Sequence, residues 1–326
     1  MKTCIVTGGC GFIGSHLVEE LLKNYKIIVI DDLSTGHIFN LNTLKKNKNL
    51  KIIKKSILDK SIKPLFKNID TIFHLAAQSD IIPSIEKPNL YFNVNVKGTL
   101  NILNYAREFK IKRFVYAGSS SCYGIPKKYP TNEMTDIQPR YPYALTKYMG
   151  EELVSHWCNL YGINFFILRL FNVFGPRVRT TGHYGAVFGV FLSQLANNKP
   201  LTVVGSGKQK RDFTYVKDVV RAFKKTLKSK KFGVYNVGTG IPVTILHLVN
   251  LLGAKNIVRL PKRPGEPNQT FADINKIRKK LKWKPIYSFH YGIKQMKKDI
   301  NLWKNAPLWT KKQILKETKN WFKFVK

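Results

Sequence analysis

Short apolar runs punctuate the first half of the chain, and longer stretches of helical periodicity separate them. Runs of this length bounded by turn residues predict strands at 3–7, 26–31, 51–54, 70–75, 113–117 and 165–170. Apolar positions recurring every three or four residues predict helices near 14–23, 62–66, 90–109 and 142–161. Strand and helix in strict alternation imply βαβ units on a parallel sheet. The strands are almost continuously apolar, as a sheet covered on both faces requires. The fold class is therefore α/β, a doubly wound parallel sheet of the Rossmann type.

Beyond residue 172 the pattern loosens. Gly and Pro become frequent at Gly175-Pro176, Gly205-Ser206-Gly207, Gly238-Thr239-Gly240 and Pro264-Gly265. Such loops build binding surfaces. The expected organisation is a dinucleotide-binding domain, residues 1–172 with about 213–237 returning as one helix and one strand. A smaller substrate domain, 173–212 and 238–326, accompanies it. Residues 303–326 form an amphipathic tail in which Trp303, Trp309, Ile314, Trp321 and Phe322 are apolar anchors among lysines. Thr310 and Gln313 fit a capping box, and docking on the domain is the expected role.

The first chemistry is Thr7-Gly8-Gly9-Cys10-Gly11-Phe12-Ile13-Gly14, between the first strand and the first helix. Glycines in this arrangement cradle a dinucleotide pyrophosphate at the helix N-terminus. Gly8 suits the tight turn, Gly11 the approach of phosphate and Gly14 the packing of helix on strand. Asp31 ends the second strand, where a carboxylate binds a ribose diol and repels a 2′-phosphate, so NAD is expected over NADP.

Tyr143 and Lys147 lie four apart on one predicted helix face. A phenol is a poor base at its free pKa near 10, and an adjacent ammonium would lower it. By itself such a spacing also fits any half-exposed helix. Upstream, Ser119-Ser120-Ser121 closes an apolar strand at the carboxyl edge of the sheet, where open α/β folds bind ligands. A serine cluster alone would be an ordinary turn; beside Tyr143 and Lys147 it supplies a hydroxyl for a substrate.

Composition adds bounds. The chain has 326 residues, 44% apolar, without a run long enough for a membrane span. The N-terminus passes straight into a strand, so no signal peptide is expected, and a cytoplasmic location is. Cys4, Cys10, Cys122 and Cys158 have no metal-ligand spacing, so no metal is expected. The net charge of +37 is unusual. Its lysines are spread along the chain without a concentrated tail or nucleic-acid motif, so solvated faces explain them better than a specific nucleic-acid partner.

Ten motifs in register then identify a resemblance over nearly the whole chain: TGGCGFIGSHL at 7–17, DDLSTG at 31–36, FHLAAQ at 73–78, NVKGTLNIL at 95–103, SSSCYG at 119–124, YALTK at 143–147, LRLFNVFGPR at 168–177, RDFTYVKDV at 211–219, YNVGTG at 235–240 and RPGEP at 263–267. The chain resembles the extended short-chain dehydrogenase/reductases, the NAD-dependent nucleotide-sugar epimerases and dehydratases, most of all the UDP-glucose and UDP-N-acetylglucosamine 4-epimerase group. The resemblance implies Tyr143 as base, Lys147 on the nicotinamide ribose and Ser119 on the sugar hydroxyl. It implies a cofactor site of Gly8, Gly11, Phe12, Ile13, Gly14, Asp31, Asp32, Ser56, Ile57, Leu75, Ala76, Ala77 and Asn95, together with Tyr143 and Lys147. It implies Ser120, Ser121, Asn172, Arg211, Arg263 and Thr270 around the nucleotide sugar. It also implies a homodimer through the helices near 90–109 and 142–161, and polysaccharide-precursor metabolism.

Two departures from the family pattern matter. Ser56-Ile57 stands where the family has Asp-Ile, so the adenine contact loses its charge. Ser120-Ser121 stands where the 4,6-dehydratases carry Asp-Glu, the carboxyls that move protons in water elimination. Hydroxyls cannot easily replace them, which favours epimerisation. Thr270 aligns where galactose-type epimerases carry a large residue, leaving room for an acetamido group. The remaining readings are a dehydratase or epimerase using a GDP- or dTDP-sugar, and an NAD-binding regulator with polyanion affinity.

Overall fold

The computed structural model describes residues 1–178 and 187–325. The predicted strands form β1 (Thr3–Thr7), β2 (Lys26–Asp31), β3 (Leu50–Lys54), β4 (Thr71–His74), β5 (Arg113–Ser119) and β6 (Asn164–Leu170). With the strand Gly233–Val237 they make one seven-stranded sheet, in the order Gly233–Val237, β6, β5, β4, β1, β2, β3. Every pairing is parallel, and β1 sits between β4 and β2 with Thr7 opposite Ile30 on one side and His74 on the other.

The period of two along each strand divides the core. Cys4, Val6, Val29, Phe73, Val115 and Phe166 point to one face. There they meet Leu17 and Val18 of α1 (Phe12–Leu21) and Val219 and Phe223 of the helix Val216–Thr226. Ile5, Ile30, Ile72, Phe114 and Ile167 point to the other face, against Ile102 and Leu103 of the helix Gly98–Glu108 and Val154 and Cys158 of the helix Pro142–Leu160. Each such side chain contributes about 1.5–3 kcal/mol by leaving water. The helix and strand expected near 213–237 are both present, and the strand pairs with β6.

The remaining elements pack around a third core of Phe174, Phe188, Leu192, Leu248, Trp303, Ile314 and Trp321. Thr310 and Gln313 form the expected capping box, and Trp303, Ile314 and Trp321 are buried, whereas Phe322 is exposed. The long helix expected near 90–109 is interrupted: Phe92–Lys97 is a π turn between the helices Pro88–Tyr91 and Gly98–Glu108. An extra residue in a turn re-aims one side chain, and here the turn carries Asn95. No described helix is long and apolar enough to cross a membrane.

Candidate active site at the carboxyl edge of the sheet

The carboxyl ends of β1, β2, β4 and β5 bring four of the motifs to one edge. At β1 the chain turns through Gly8, which has φ +69° and donates its N–H to Ile30 O at 2.8 Å. A Cβ there would lie 2.7 Å from the Ala76 nitrogen, so only glycine lets β1 and the Leu75-Ala76-Ala77 segment meet. A Cβ on Gly14 would overlap the Gly8 carbonyl, so α1 can start directly over the turn only with glycine. Gly11 is the N-cap and offers no side-chain cap. The helix itself does not use the N–H groups of Phe12, Ile13 and Gly14, which suit them to an anion. The side chains of Phe12 and Ile13 pack inward against the core.

Asp31 is buried, and its carboxylate accepts from Cys10 N and Leu33 N, both at 2.9 Å. Burial raises its pKa, partly offset by those two N–H groups. It therefore braces the glycine turn from the end of β2. Asp32 is exposed and accepts from Ser34 N at 2.9 Å. Ser56 accepts from Leu58 N at 3.2 Å, closing its own loop, while Ile57 is buried in the core. Ser56 thus brings a hydroxyl, and no charge, to the groove at this edge.

The sequence reading missed the buried residues beneath this groove. His74 Nδ1 lies 2.7 Å from Thr7 Oγ1, and Nε2 lies 2.9 Å from Thr99 Oγ1. Thr99 donates its hydroxyl to Asn95 O at 2.6 Å, so it must accept from an Nε2–H. Nδ1 is then the acceptor of the Thr7 hydroxyl, and Thr7 Oγ1 accepts from Leu75 N and Ala76 N at 3.2 Å each. The network fixes neutral His74 in one tautomer, and burial lowers its pKa to about 3. Asn95 continues the chain, accepting from Gln78 N at 2.8 Å and donating to Gln78 O at 3.0 Å and Thr146 Oγ1 at 3.1 Å. The FHLAAQ motif contained the signal, an apolar strand ending in an imidazole.

At β5 the tyrosine, lysine and serines come together. Tyr143 donates to Ser119 Oγ at 3.3 Å. Ser119 Oγ and Ser121 Oγ are 2.7 Å apart, and Ser121 N donates to Ser119 Oγ at 3.2 Å, so Ser119 is held in place. Lys147 follows one turn on and is buried, its Nζ 4.0 Å from the centre of the Tyr116 ring. Burial lowers its pKa to about 7, with Glu151 opposing. Burial raises the Tyr143 pKa, and the Ser119 hydroxyl offsets part of this. Among the protein's own groups burial dominates the Tyr143 pKa, and no depression from Lys147 is present. Glu151 is itself committed to Arg169, which also donates to Tyr123 Oη at 2.8 Å.

The loops opposite carry the other predicted residues. Asp212 is fully buried and accepts from Thr239 N, Gly240 N and Ala272 N at 2.7, 3.0 and 3.0 Å, tying the RDFTYV, NVGTG and 270–272 segments together. Its neighbour Arg211 donates to Lys210 O at 2.9 Å and Glu266 Oε1 at 2.8 Å. Arg211 and Glu266 line a cavity of about 270 Å³ with Gly205, Lys208, Gln209 and Lys262. Five guanidinium donors allow Arg211 to keep both bonds and face an oxyanion. Arg263 lies with its guanidinium 5.6 Å from the centre of the Trp321 ring. Thr270 donates to Asn172 Oδ1 at 2.7 Å and accepts from Asp212 N at 3.0 Å, so it is a bridge between loops as well as a small residue.

Comparison with known proteins agrees with this fold. Residues 4–238 match the NAD-dependent epimerase/dehydratase family. A putative UDP-glucose 4-epimerase of Methanocaldococcus jannaschii is 37% identical, over 92% of this chain and 98% of its own. The UDP-N-acetylglucosamine 4-epimerase of Methanobrevibacter ruminantium, solved with UDP-N-acetylmuramic acid, superposes with a TM-score of 0.86 at 34% identity, covering 91% of this chain and 99% of its own. The UDP-glucuronic acid 4-epimerase of Bacillus cereus, solved with UDP-glucuronic acid and NAD, gives 0.87 at 33% identity over 92% and 99%. The chain belongs to the NAD-dependent epimerase/dehydratase family. It is an epimerase-like enzyme of that family, and its cofactor is NAD.

Proposed function

We propose that the protein interconverts UDP-hexoses at C4, accepting UDP-glucose and UDP-N-acetylglucosamine and their galacto counterparts. The observation that carries this reading is the 3.3 Å bond from the Tyr143 hydroxyl to Ser119 Oγ, on the same sheet edge as the glycine turn, with Lys147 one turn along the same helix. Tyr143 takes the proton of the sugar 4-hydroxyl, which Ser119 orients. Bound NAD supplies the acceptor and donor of hydride at C4. Lys147 holds the cofactor ribose, and Asp31 the adenosine ribose. Arg211 and Arg263 bind the diphosphate with planar N–H donors suited to phosphate oxygens. Held there, the 4-keto sugar turns over and presents its other face.

Two features favour epimerisation of a neutral or N-acetylated sugar. Ser120 and Ser121 offer no carboxyl for water elimination, and Thr270 is small and already bonded to Asn172. The NAD-binding unit in this reading is 1–172 with about 213–237, and the nucleotide-sugar unit is 173–212 with 238–326. The working form is a homodimer through the helices Gly98–Glu108 and Pro142–Leu160. Exposed Leu90, Phe92 and Leu145 along the edge of that surface support the pairing. The test is incubation of the purified protein with each UDP-sugar, with products followed by NMR. Conversion at C4 alone is expected, and a 4-keto-6-deoxy product would refute it.

A further inference from the structure

The C-terminal tail packs against the loop of Arg263 and against Tyr141. Trp321 lies in the helix Lys319–Phe324 and is 3% exposed. Its indole Nε1–H donates to Pro264 O at 2.7 Å, the residue after Arg263. The Arg263 guanidinium lies 5.6 Å from the centre of the same ring. The opposite neighbour of the indole is Tyr141, with centroids 5.9 Å apart. Tyr141 in turn lies parallel to Tyr143, at 5° and 6.4 Å. One side chain thus touches both the loop offered for the diphosphate and the residue stacked on the offered base. The tail is anchored independently by Trp303 and Ile314 in the core and by Asn320 donating to Glu86 at 3.3 Å.

An indole with one polar edge and two broad faces is suited to this task. The N–H fixes the backbone of the loop, and one face attracts a guanidinium. The other arginine, Arg211, is oriented by Glu266 and the Lys210 carbonyl. Arg263 sits on a loop just before two turn residues, Pro264 and Gly265, and the Trp321 ring packs beside its guanidinium.

We propose that Trp321 is a positioning residue that holds Arg263, and through Tyr141 the Tyr143 ring, in the geometry that receives the nucleotide-sugar diphosphate. The inference rests on the assignment of Arg263 and Tyr143 made above. UDP binding measured by calorimetry on the NAD-loaded enzyme separates the two. A wild-type enzyme that ignores UDP defeats the functional reading itself. Given wild-type binding, Trp321→Phe keeps the core filled but loses the bond to Pro264 and weakens the ring contact. It should loosen UDP about fivefold and raise KM for the UDP-sugar by a similar factor. Arg263→Met should weaken UDP further, and the double variant should bind no worse than Arg263→Met alone, because the Trp321 effect acts through the arginine. Trp321→Ala should repeat the result with a lower Tm. Unchanged UDP affinity in Trp321→Phe, an Arg263→Met variant that binds normally, or two effects that simply add would each overturn the proposal. Should Trp321→Ala fail to fold, the Trp321→Phe and Arg263→Met cycle still decides.

Discussion

Lys147 Nζ sits 4.0 Å from the centre of the Tyr116 ring, in a site where burial lowers its pKa to about 7. The ring face stabilises the cation, but not enough to offset its loss of water. Between pH 7 and 10.5 the unfolded chain binds this proton and the folded one does not, so stability rises with pH across that window. Below pH 7 both states hold the proton and the full cost is present. Lys147→Met should therefore stabilise the protein without added NAD, on the order of 2 kcal/mol at pH 6.5, with the gain shrinking toward pH 10. Denaturant unfolding at pH 6.5 and 9.5 measures it. The same variant should lose epimerase activity, the mark of a residue kept for function at a cost in stability.

Tyr143→Phe should lower kcat at least ~100-fold with NAD still bound, since only the proton-carrying oxygen is lost. Ser119→Ala should lower kcat less, because Tyr143 remains. Turnover assays with absorbance-determined NAD content check both, and near wild-type turnover in Tyr143→Phe removes it as the base.

Acid should destabilise the protein through two histidines. Burial lowers His74 to about 3 and His16, which donates to Pro176 O, to about 4. The unfolded chain binds both protons near pH 6.5. Stability is therefore intact above pH 6.5 and is lost as pH falls from there toward 4 and then 3. Thermal melts from pH 7.5 to 4.5 should show falling Tm. His74→Asn should start lower at pH 7.5, because the Thr7 and Thr99 pairings change, and fall less steeply. An equal slope in that variant contradicts the assignment.

Ser56→Asp restores the carboxylate that the family pattern places at the adenine. The new side chain can keep the bond to Leu58 N that Ser56 accepts at 3.2 Å. NAD should dissociate several-fold more slowly, on the scale of one charge-assisted hydrogen bond. Stopped-flow release or NAD retained through gel filtration reads the difference.

Most of the fold was legible from period and punctuation alone. All six predicted strands lie in the sheet with their ends displaced by no more than two residues, because each is a buried apolar run between turn residues. The placement of Gly8, Gly14, Asp31, Ser119, Tyr143 and Lys147 at one edge of the sheet was legible because motif and edge position coincide. The π turn at Phe92–Lys97 was not, since an apolar helical pattern does not reveal one extra residue. Nor were the His74–Thr7–Thr99 network, the carboxylate of Asp212 at the centre of three loops, or Trp321 beside Arg263. These join residues from distant motifs, and no local spacing encodes them. Nor does the spacing of Tyr143 and Lys147 reveal the burial that raises the Tyr143 pKa.

The central claim is that a sugar carbon is oxidised and reduced again inside one closed site. Epimerisation of UDP-N-acetylglucosamine in D₂O, followed by ¹H NMR, tests this most directly. The account predicts UDP-N-acetylgalactosamine that retains hydrogen at C4, because the hydride that leaves is the one returned, and a steady state without released 4-keto sugar. Deuterium at C4, or a 4-keto-6-deoxy sugar as the accumulating product, would contradict it.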